Sequence, residues 1–364
     1  MNKMNVKYPG GYSMGNNIEN KFKSEKKYLE RIKKHPKQVI LASSDAKQGG
    51  IELFFSVDDE KETLSKKMRE IGMINGFKIS KIMLKNAPII LKTKNDDIKD
   101  LEPYLQSLEQ NGKILNETKL ISTYPNNELW TQLQEYAWNT WRVNVGFTEL
   151  PRQLIFKGKA VLFPYAIVCI QEMSKVKISM APKIEAGGEA ARVYGTLGLA
   201  VNDIARWLRF NHKINCQSIH PHGGFVNNPP LASKAGMGWQ GRNGLLITPE
   251  YGQRQRIAPI LIEERLFEFN DNTDHRWIEE YCKLCGKCKK ACPTHAIYDE
   301  KITIIDNVPG IGSVRTCVDL AKCRPYFNKT LGCSVCVKTC PFSQGAGVYD
   351  KLKHVVDKKK KYKL

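Results

Sequence analysis

Residues 282–293 read CKLCGKCKKACP and residues 323–341 read CRPYFNKTLGCSVCVKTCP, and the reading of these two runs decides how the chain is built. Nine of the 11 cysteines fall between Cys282 and Cys340. An odd total and dense clustering point to metal rather than to a disulfide framework. In the first run Cys282, Cys285 and Cys288 are each separated by two residues, and Cys292 follows after three more, just before Pro293. The second run gives Cys323, then Cys333, Cys336 and Cys340 before Pro341. Three thiolates so spaced on a curling loop converge on one cubane, while the fourth leaves on a helix toward a second.

This is the spacing of the bacterial ferredoxin run. Crossed ligation assigns one [4Fe–4S] cluster to Cys282, Cys285, Cys288 and Cys340. The other falls to Cys292, Cys323, Cys333 and Cys336. Paired CxxC motifs also bind zinc, but eight thiolates with both runs ending in Cys-Pro favour iron–sulfur. Cys317 is an alternative to Cys323 as ligand, whereas Cys169 reads as a small core residue and Cys216 as structural.

Upstream of the cysteines the texture changes twice. The 364 residues, 41% of them hydrophobic, suffice for two or three domains with at least one large core. Residues 1–128 form an N-terminal region of alternating apolar and charged stretches with no evident chemistry. Its first 35 residues are polar and Lys-rich, a frayed arm or a surface helix. VILASS and IELFFSV read as strands, KETLSKKMREIGMI and DDIKDLEPYLQSLEQNG as amphipathic helices, the latter closed by Asn111-Gly112. Residues 129–275 form a second unit: a Trp-rich helix, the strand VGFTELP, a buried apolar strand from Ala160 to Ile170, and a long helix near Ala186–Phe210. In that helix Val193, Leu197, Val201, Ile204 and Leu208 recur at the spacing of one buried face. Asn215–Arg256 is rich in Gly, Pro, Asn and His, the texture of a segment that wraps a ligand. The cysteine module occupies 276–345, and 346–364 form a basic tail.

A two-cluster module beside a larger domain conducts single electrons inward, so the acceptor is expected within 129–275. Flavin, corrinoid or a direct substrate all satisfy that chemistry. No GxxxxGK[ST], GxGxxG or DxHxxG occurs, which gives no support to a P-loop, a Rossmann nucleotide site or a methylcobalamin-type site.

The stretch PLASKAGMGWQGRNG from Pro230 to Gly244, continuing LLITPEYGQRQR to Arg256, resembles two related families. These are the corrinoid-dependent reductive dehalogenases and the epoxyqueuosine reductases, both of which place such a segment before two [4Fe–4S] motifs. The resemblance covers roughly residues 140–345. It implies an α/β (α+β) nitroreductase-like domain holding base-off cobalamin, followed by a ferredoxin-like domain. The corrinoid-binding residues it implies are Gly236, Gly238, Trp239, Gly241, Arg242, Asn243, Gly244, Leu246, Thr248, Tyr251 and Gly252. Tyr194 to Gly198 (YGTLG) resembles the dehalogenase YxxMG, with Leu197 replacing Met, and Tyr251 to Arg256 resembles PEYGP followed by a cation, with Gln253 replacing Pro. The epoxyqueuosine reductases rely instead on an Asp in an FVDSAP-like segment. Here that region is HPHGGFV from His220, and no Asp or Glu occurs from Ile204 to Pro249. The dehalogenases carry an Asn where His220 falls, so neither pattern is complete.

The reading closest to the residues is a corrinoid- and iron–sulfur-dependent reductase of reductive-dehalogenase type acting on a small, halogenated or other substrate. Tyr194 is its expected proton donor, Arg256 the cation that stabilises the phenolate, and His220 and His222 position substrate or carry protons. Against these stand a core aromatic for Tyr194, a salt bridge or corrinoid contact for Arg256, and loop packing for the His pair. A tRNA-modifying reductase and a non-catalytic corrinoid or electron-transfer protein are the alternatives. The net charge of +20 favours acidic partners, here a ferredoxin or flavodoxin donor, with tRNA disfavoured by the missing carboxylate. No apolar stretch reaches membrane-spanning length, and no secretory h-region or Arg-Arg pair is seen, so a cytoplasmic location is expected.

Overall fold

The computed structural model describes residues 27–35, 37–41, 102–111, 124–156, 158–221, 225–270, 273–330, 332–345 and 347–361. The strand IELFFSV and the helix KETLSKKMREIGMI lie outside these, as do the last three residues of VILASS and the Gly112 cap.

The elements that position the site begin with β1 (Ile40–Leu41), α1 (Glu102–Asn111), α2 (Asn127–Trp141) and β2 (Val143–Glu149). Then come β3 (Ala160–Val161), β4 (Tyr165–Glu172), α3 (Lys175–Ser179) and the long α4 (Ile184–His212). After β5 (Cys216–Ser218) and α5 (Asn228–Lys234), β6 (Trp239–Gln240) and β7 (Leu246–Ile247) make a small hairpin ahead of β8 (Gln255–Ile262). The apolar run expected as one strand is split into β3 and β4. Pro164 sits at the break, where it has no N–H to give a ladder and its carbonyl accepts from Leu150 at 2.7 Å instead.

The central sheet is antiparallel, in the order β2-β4-β8-β5. Alternation along its strands gives it two apolar faces. Val143, Phe147, Ile167, Cys169, Ala258 and Ile260 pack under α2 and α4, joined by Leu197, Val201, Ile204 and Leu208 from the predicted helix face. Ala166, Val168, Ile170 and Leu261 face the other way, toward α5, the β6–β7 hairpin and the cysteine module. The residues read as a frayed or surface arm are anchored where described: in the helix at 27–32, Tyr28 is 2% and Ile32 0% exposed, packed in the second core with Leu105 and Leu108 of α1. Arg31 ties the two helices together through Glu102 (3.0 Å) and Glu109 (2.6 Å).

The cysteine module follows as α6 (Trp277–Cys285), α7 (Lys287–Lys290), the hairpin β9 (Ile297–Val308) and β10 (Gly312–Val318), α8 (Leu320–Lys329), α9 (Val335–Thr339) and α10 (Gly347–Lys361). It is bolted to the sheet unit. Gln253 N–H donates to Ser343 Oγ at 3.2 Å and Arg254 Nε to the Ser343 carbonyl at 2.7 Å. His275 bridges the Gly236 carbonyl (3.1 Å) and the Tyr349 hydroxyl (2.6 Å).

Candidate reductase site and iron–sulfur module

Tyr194 and Arg256, distant in sequence, meet in space. Arg256 is the second residue of β8, and its side chain points to the α4 face of the sheet. Its guanidinium carbon lies 4.5 Å from the centroid of the Tyr194 ring, a cation–π contact. Opposite Arg256 in the ladder is Gln171 of β4. The Gln171 side chain donates to the Trp141 carbonyl at 2.8 Å and accepts from Thr196 Oγ1 at 2.6 Å, which fixes α4 over the strand end. Arg256 Nε is buried with no hydrogen-bond partner, as are Gln255 Oε1 and Asn228 Oδ1. The second amide end of Asn228 is held by the Ile257 carbonyl at 3.0 Å, so all three orphaned atoms lie on or against residues 255–257. Buried polar atoms left without partners are costly; Arg256 Nε lies on the α4 face beside Tyr194, whereas Gln255, whose amide donates to the Leu246 carbonyl, points to the opposite face with α5.

His220 is 1% exposed and lies just beyond β5, whereas His222 falls outside the described residues. Tyr251 is buried, its hydroxyl accepting from Asn144 Nδ2 at 3.2 Å. Burial, reinforced by the charges of Glu172 and Glu250, pushes its phenol up from the ordinary value. On α4, Glu189 is 1% exposed. Burial opposes its charge, but Arg192 at 2.7 Å, the Ser174 N–H at 2.8 Å and Lys177 at 3.1 Å outweigh it and hold its carboxyl at about 2.

The glycines of the segment 236–252 are explained largely by protein contacts. A Cβ on Gly238, whose φ is +152°, would stand 2.1 Å from the Ile247 carbonyl oxygen. One on Gly252, with φ +61°, would stand 2.3 Å from the Phe342 carbonyl group. One on Gly241 would meet Gln253 Nε2 and Ile247 Cδ1 at 2.9 Å. At Gly238 and Gly252 backbone passes backbone, whereas at Gly241 side chains fill the place of a Cβ. Thr248 and Gly252 exchange two backbone hydrogen bonds, 2.9 and 3.0 Å, and Leu246 is a core residue of β7. Trp239 carries the Arg276 guanidinium 5.2 Å from its ring centroid. Arg242 reaches out of the segment onto the cysteine module, its Nε donating to the Cys282 carbonyl at 3.3 Å, while the Asn243 and Gln253 amides pair with each other at 2.7 and 3.1 Å.

The cysteines fall into two neighbouring groups. The Cys340 thiol is raised by burial first and then by the charges of Cys282 and Cys288, and Cys288 is raised by burial and by Cys285. Burial followed by Cys292 and Cys333 pushes Cys323 up to about 11. Burial pushes Cys336 up to about 12, with Cys288, Cys333 and Cys323 adding to it, so the two groups adjoin at Cys288 and Cys336. Cys292 goes the other way: burial opposes its charge, but hydrogen bonds from the Ala296 N–H and the Thr294 hydroxyl outweigh that cost and lower it. Cys169 and Cys216 are wholly buried in the sheet core; Cys216 Sγ donates to the Ala205 carbonyl at 3.3 Å. Among the described residues no three His, Cys, Asp or Glu side chains converge on the single point one metal ion needs.

The family model of the 4Fe-4S binding domain matches residues 275–298, which hold the first cysteine run. The chain is homologous to reductive dehalogenases and epoxyqueuosine reductases. It is 33% identical over 146 residues to the tetrachloroethene reductive dehalogenase of Desulfitobacterium hafniense, covering 40% of this chain and 25% of that one. It is 27% identical over 180 residues to the epoxyqueuosine reductase of Gloeobacter violaceus, covering 44% and 50%. The chain thus spans a quarter to a half of these relatives. A solved reductive dehalogenase superposes with a TM-score of 0.47 at 18% identity over 58% of this chain and 32% of that one. No helix among the described residues is long and apolar enough to cross a membrane.

Gln171 and Thr196 carry no signal in the sequence, because only the strand register places them beside Arg256 and Tyr194. Gln253 does carry one: it stands where the family pattern has Pro, and its N–H is used by Ser343.

Proposed function

We propose that the chain is a corrinoid- and iron–sulfur-dependent reductase of reductive-dehalogenase type. The observation that carries the reading is Arg256 laid over the Tyr194 ring with its Nε buried and unpartnered. Cys282, Cys285, Cys288 and Cys340 would hold one [4Fe–4S] cluster, and Cys292, Cys323, Cys333 and Cys336 the other. The grouping of the thiols supports that crossed assignment. A base-off cobalamin in the sheet unit would supply the low-potential reduction that side chains lack. Trp239, Leu246, Thr248 and Tyr251, with the backbone of Gly236 and Gly244, remain the candidates to line it.

Reduction of a carbon–halogen bond consumes two electrons and one proton and releases halide. Tyr194 supplies that proton from its hydroxyl, and Arg256 holds a positive charge against the ring as the phenolate forms. The same guanidinium offers Nε–H to an anionic or carbonyl group of the substrate. His220, buried beside β8, positions the substrate. The basic chain favours an acidic ferredoxin or flavodoxin as donor. The same charge, with homology to epoxyqueuosine reductases, supports tRNA as the second reading.

Anaerobic reconstitution with iron, sulfide and cobalamin, followed by metal analysis and EPR, tests the cofactor set. Eight cysteine ligands predict about eight iron per chain, together with one cobalt and a base-off signal. Iron without cobalt would overturn the corrinoid reading. Organohalides and a queuosine-precursor tRNA, offered to the loaded protein, then separate the two substrate readings.

A further inference from the structure

The loop that carries the first three cysteines of the module also holds an apolar side chain in the open. Along α6, Ile278, Tyr281, Cys282 and Cys285 recur at the spacing of one inner face, and the Tyr281 ring packs on Phe342 with centroids 5.2 Å apart. Lys283 and Leu284, between the two cysteines, are left to point outward. Leu284 is 55% exposed, although it adjoins Cys285. Gly286, with φ +59°, then turns the chain into α7. Arg242 spans the Cys282 carbonyl (3.3 Å) and the Tyr298 carbonyl (3.4 Å), so Tyr298, itself 37% exposed, borders the same loop. From Tyr281 to Ala291 the sequence has four lysines, Lys283, Lys287, Lys289 and Lys290, and no carboxylate. Lys283 pairs with Glu280 at 2.7 Å and Lys289 with Asp299, which leaves Lys287 and Lys290 exposed and unpaired among the described residues.

We propose that this surface is where a small acidic one-electron carrier protein docks. Leu284 seats in an apolar depression of the carrier, and Lys283, Lys287 and Lys290 meet its carboxylates. The inference rests on the two-cluster and acidic-donor readings above and gives the electron its point of entry, the cluster of Cys282, Cys285, Cys288 and Cys340. The carrier loses one electron and that cluster gains it, with no bond made or broken. Such a transfer needs the two centres close, and Leu284 stands between two ligands, so a carrier resting on it lies against the cluster edge. The leucine also favours a protein over RNA: it buries apolar surface against a protein, whereas a phosphate backbone would use the lysines alone. A rival patch on α3 has Val176 exposed, but Lys175 is turned to the Gln344 carbonyl and Lys177 to Glu189, and no residue of α3 adjoins a ligand in the chain.

The test is stopped-flow reduction of the iron- and sulfide-reconstituted full chain by two probes, a reduced flavodoxin and a reduced two-cluster ferredoxin. Iron content and the end-point reached with titanium(III) citrate are read beside it. The wild-type rate should fall as salt rises. The triple variant Lys283→Glu, Lys287→Glu, Lys290→Glu should be slower by about tenfold or more at low salt and should lose most of that salt dependence. Leu284→Ser keeps every charge; it should keep the salt dependence and raise the half-saturating carrier concentration about fivefold. Val176→Ser combined with Lys183→Glu, on the rival patch, should change nothing. Iron and end-point should be the same in all of them. A triple variant as fast as wild type would overturn the proposal, and so would one that is slower but keeps the wild-type salt dependence, since lost driving force alone does that. An indifferent Leu284→Ser, or an equal loss on the rival patch, would overturn it too. So would a tRNA stem-loop whose binding the triple variant abolishes while the carrier rates stay unmoved. A wild type reduced by titanium(III) citrate but by neither carrier would overturn the acidic-donor reading with it, and one with no reducible clusters would instead overturn the two-cluster reading.

Discussion

Tyr194 is a helix residue and Arg256 a strand residue, and only the crossing of α4 over the sheet makes them one unit. The guanidinium lies 4.5 Å from the ring centroid, a contact that the ring keeps whether or not it carries a hydroxyl. Tyr194→Phe keeps the ring under Arg256 and removes only the proton. It should cost a factor of about 10² or more in reduction rate, the usual worth of a positioned acid, with iron and cobalt content unchanged. Unchanged turnover in a loaded Tyr194→Phe protein would remove Tyr194 from the mechanism. Glu189 makes a different prediction. Its folded value, about 2, lies below the unfolded carboxylate value, so its contribution to stability is present near neutrality. That contribution is lost as pH falls from about 5 toward 2, the window between the two values. Lys177 and Arg192 are half-exposed and can be rehydrated when the carboxylate is removed. Glu189→Gln should therefore cost only about 1–3 kcal/mol at pH 7, and almost nothing below pH 2. Chemical denaturation at both pH values would show it. An equal loss at both would mean that packing, not charge, holds Glu189 in place.

At the scale of elements, the sharpest joint is the turn before β8. Gly252 passes the backbone of Phe342 so closely that a methyl group has no room, and its φ of +61° disfavours any L side chain. Gly252→Ala should therefore cost about 2 kcal/mol or more, combining backbone strain with a clash against main chain that cannot swing away. The loss should appear as a lowered denaturation midpoint and as easier proteolysis between the sheet unit and the cysteine module. A neutral substitution would mean that the joint is looser than the geometry makes it. The long helix α4 was legible because five apolar residues at helical spacing require one buried face, and the face is found as read. The break between β3 and β4 was masked by the hydrophobicity of LFPY, although Pro164 alone was reason to expect an interrupted ladder. The glycines show the reverse. Their clustering reads as a ligand cradle, but spacing cannot reveal what occupies the place of a missing Cβ, and at three positions that occupant is the protein itself.

Over the whole molecule, the cysteine groups were legible because metal ligation needs fixed spacing along a short loop. The Tyr194–Arg256 pair was legible only by resemblance, since no local pattern predicts which strand lies beneath which helix. Arg242 was legible as a polar residue of a Gly-rich segment, but its hydrogen bonds to the cysteine module were not, because the direction a turn faces is a property of the assembled fold. Those links tie metal binding to the stability of the entire chain. Gly252 on Phe342, Gln253 and Arg254 on Ser343, and His275 between Gly236 and Tyr349 all join the sheet unit to residues flanking Cys340 or Cys282. In the two-cluster reading iron cross-links the cysteine loops, and without it they are held only by their own packing. Removing iron should therefore loosen the contacts on the sheet unit as well as the cysteine loops. Thermal melting followed by tryptophan fluorescence checks this, because Trp130, Trp141 and Trp207 pack on the far face of the sheet from the clusters. Their transition should move to lower temperature on iron removal by several degrees, about what 1–2 kcal/mol produces in a unit of this size. A tryptophan transition indifferent to iron would show that the two units melt independently and that the joint carries no stability between them.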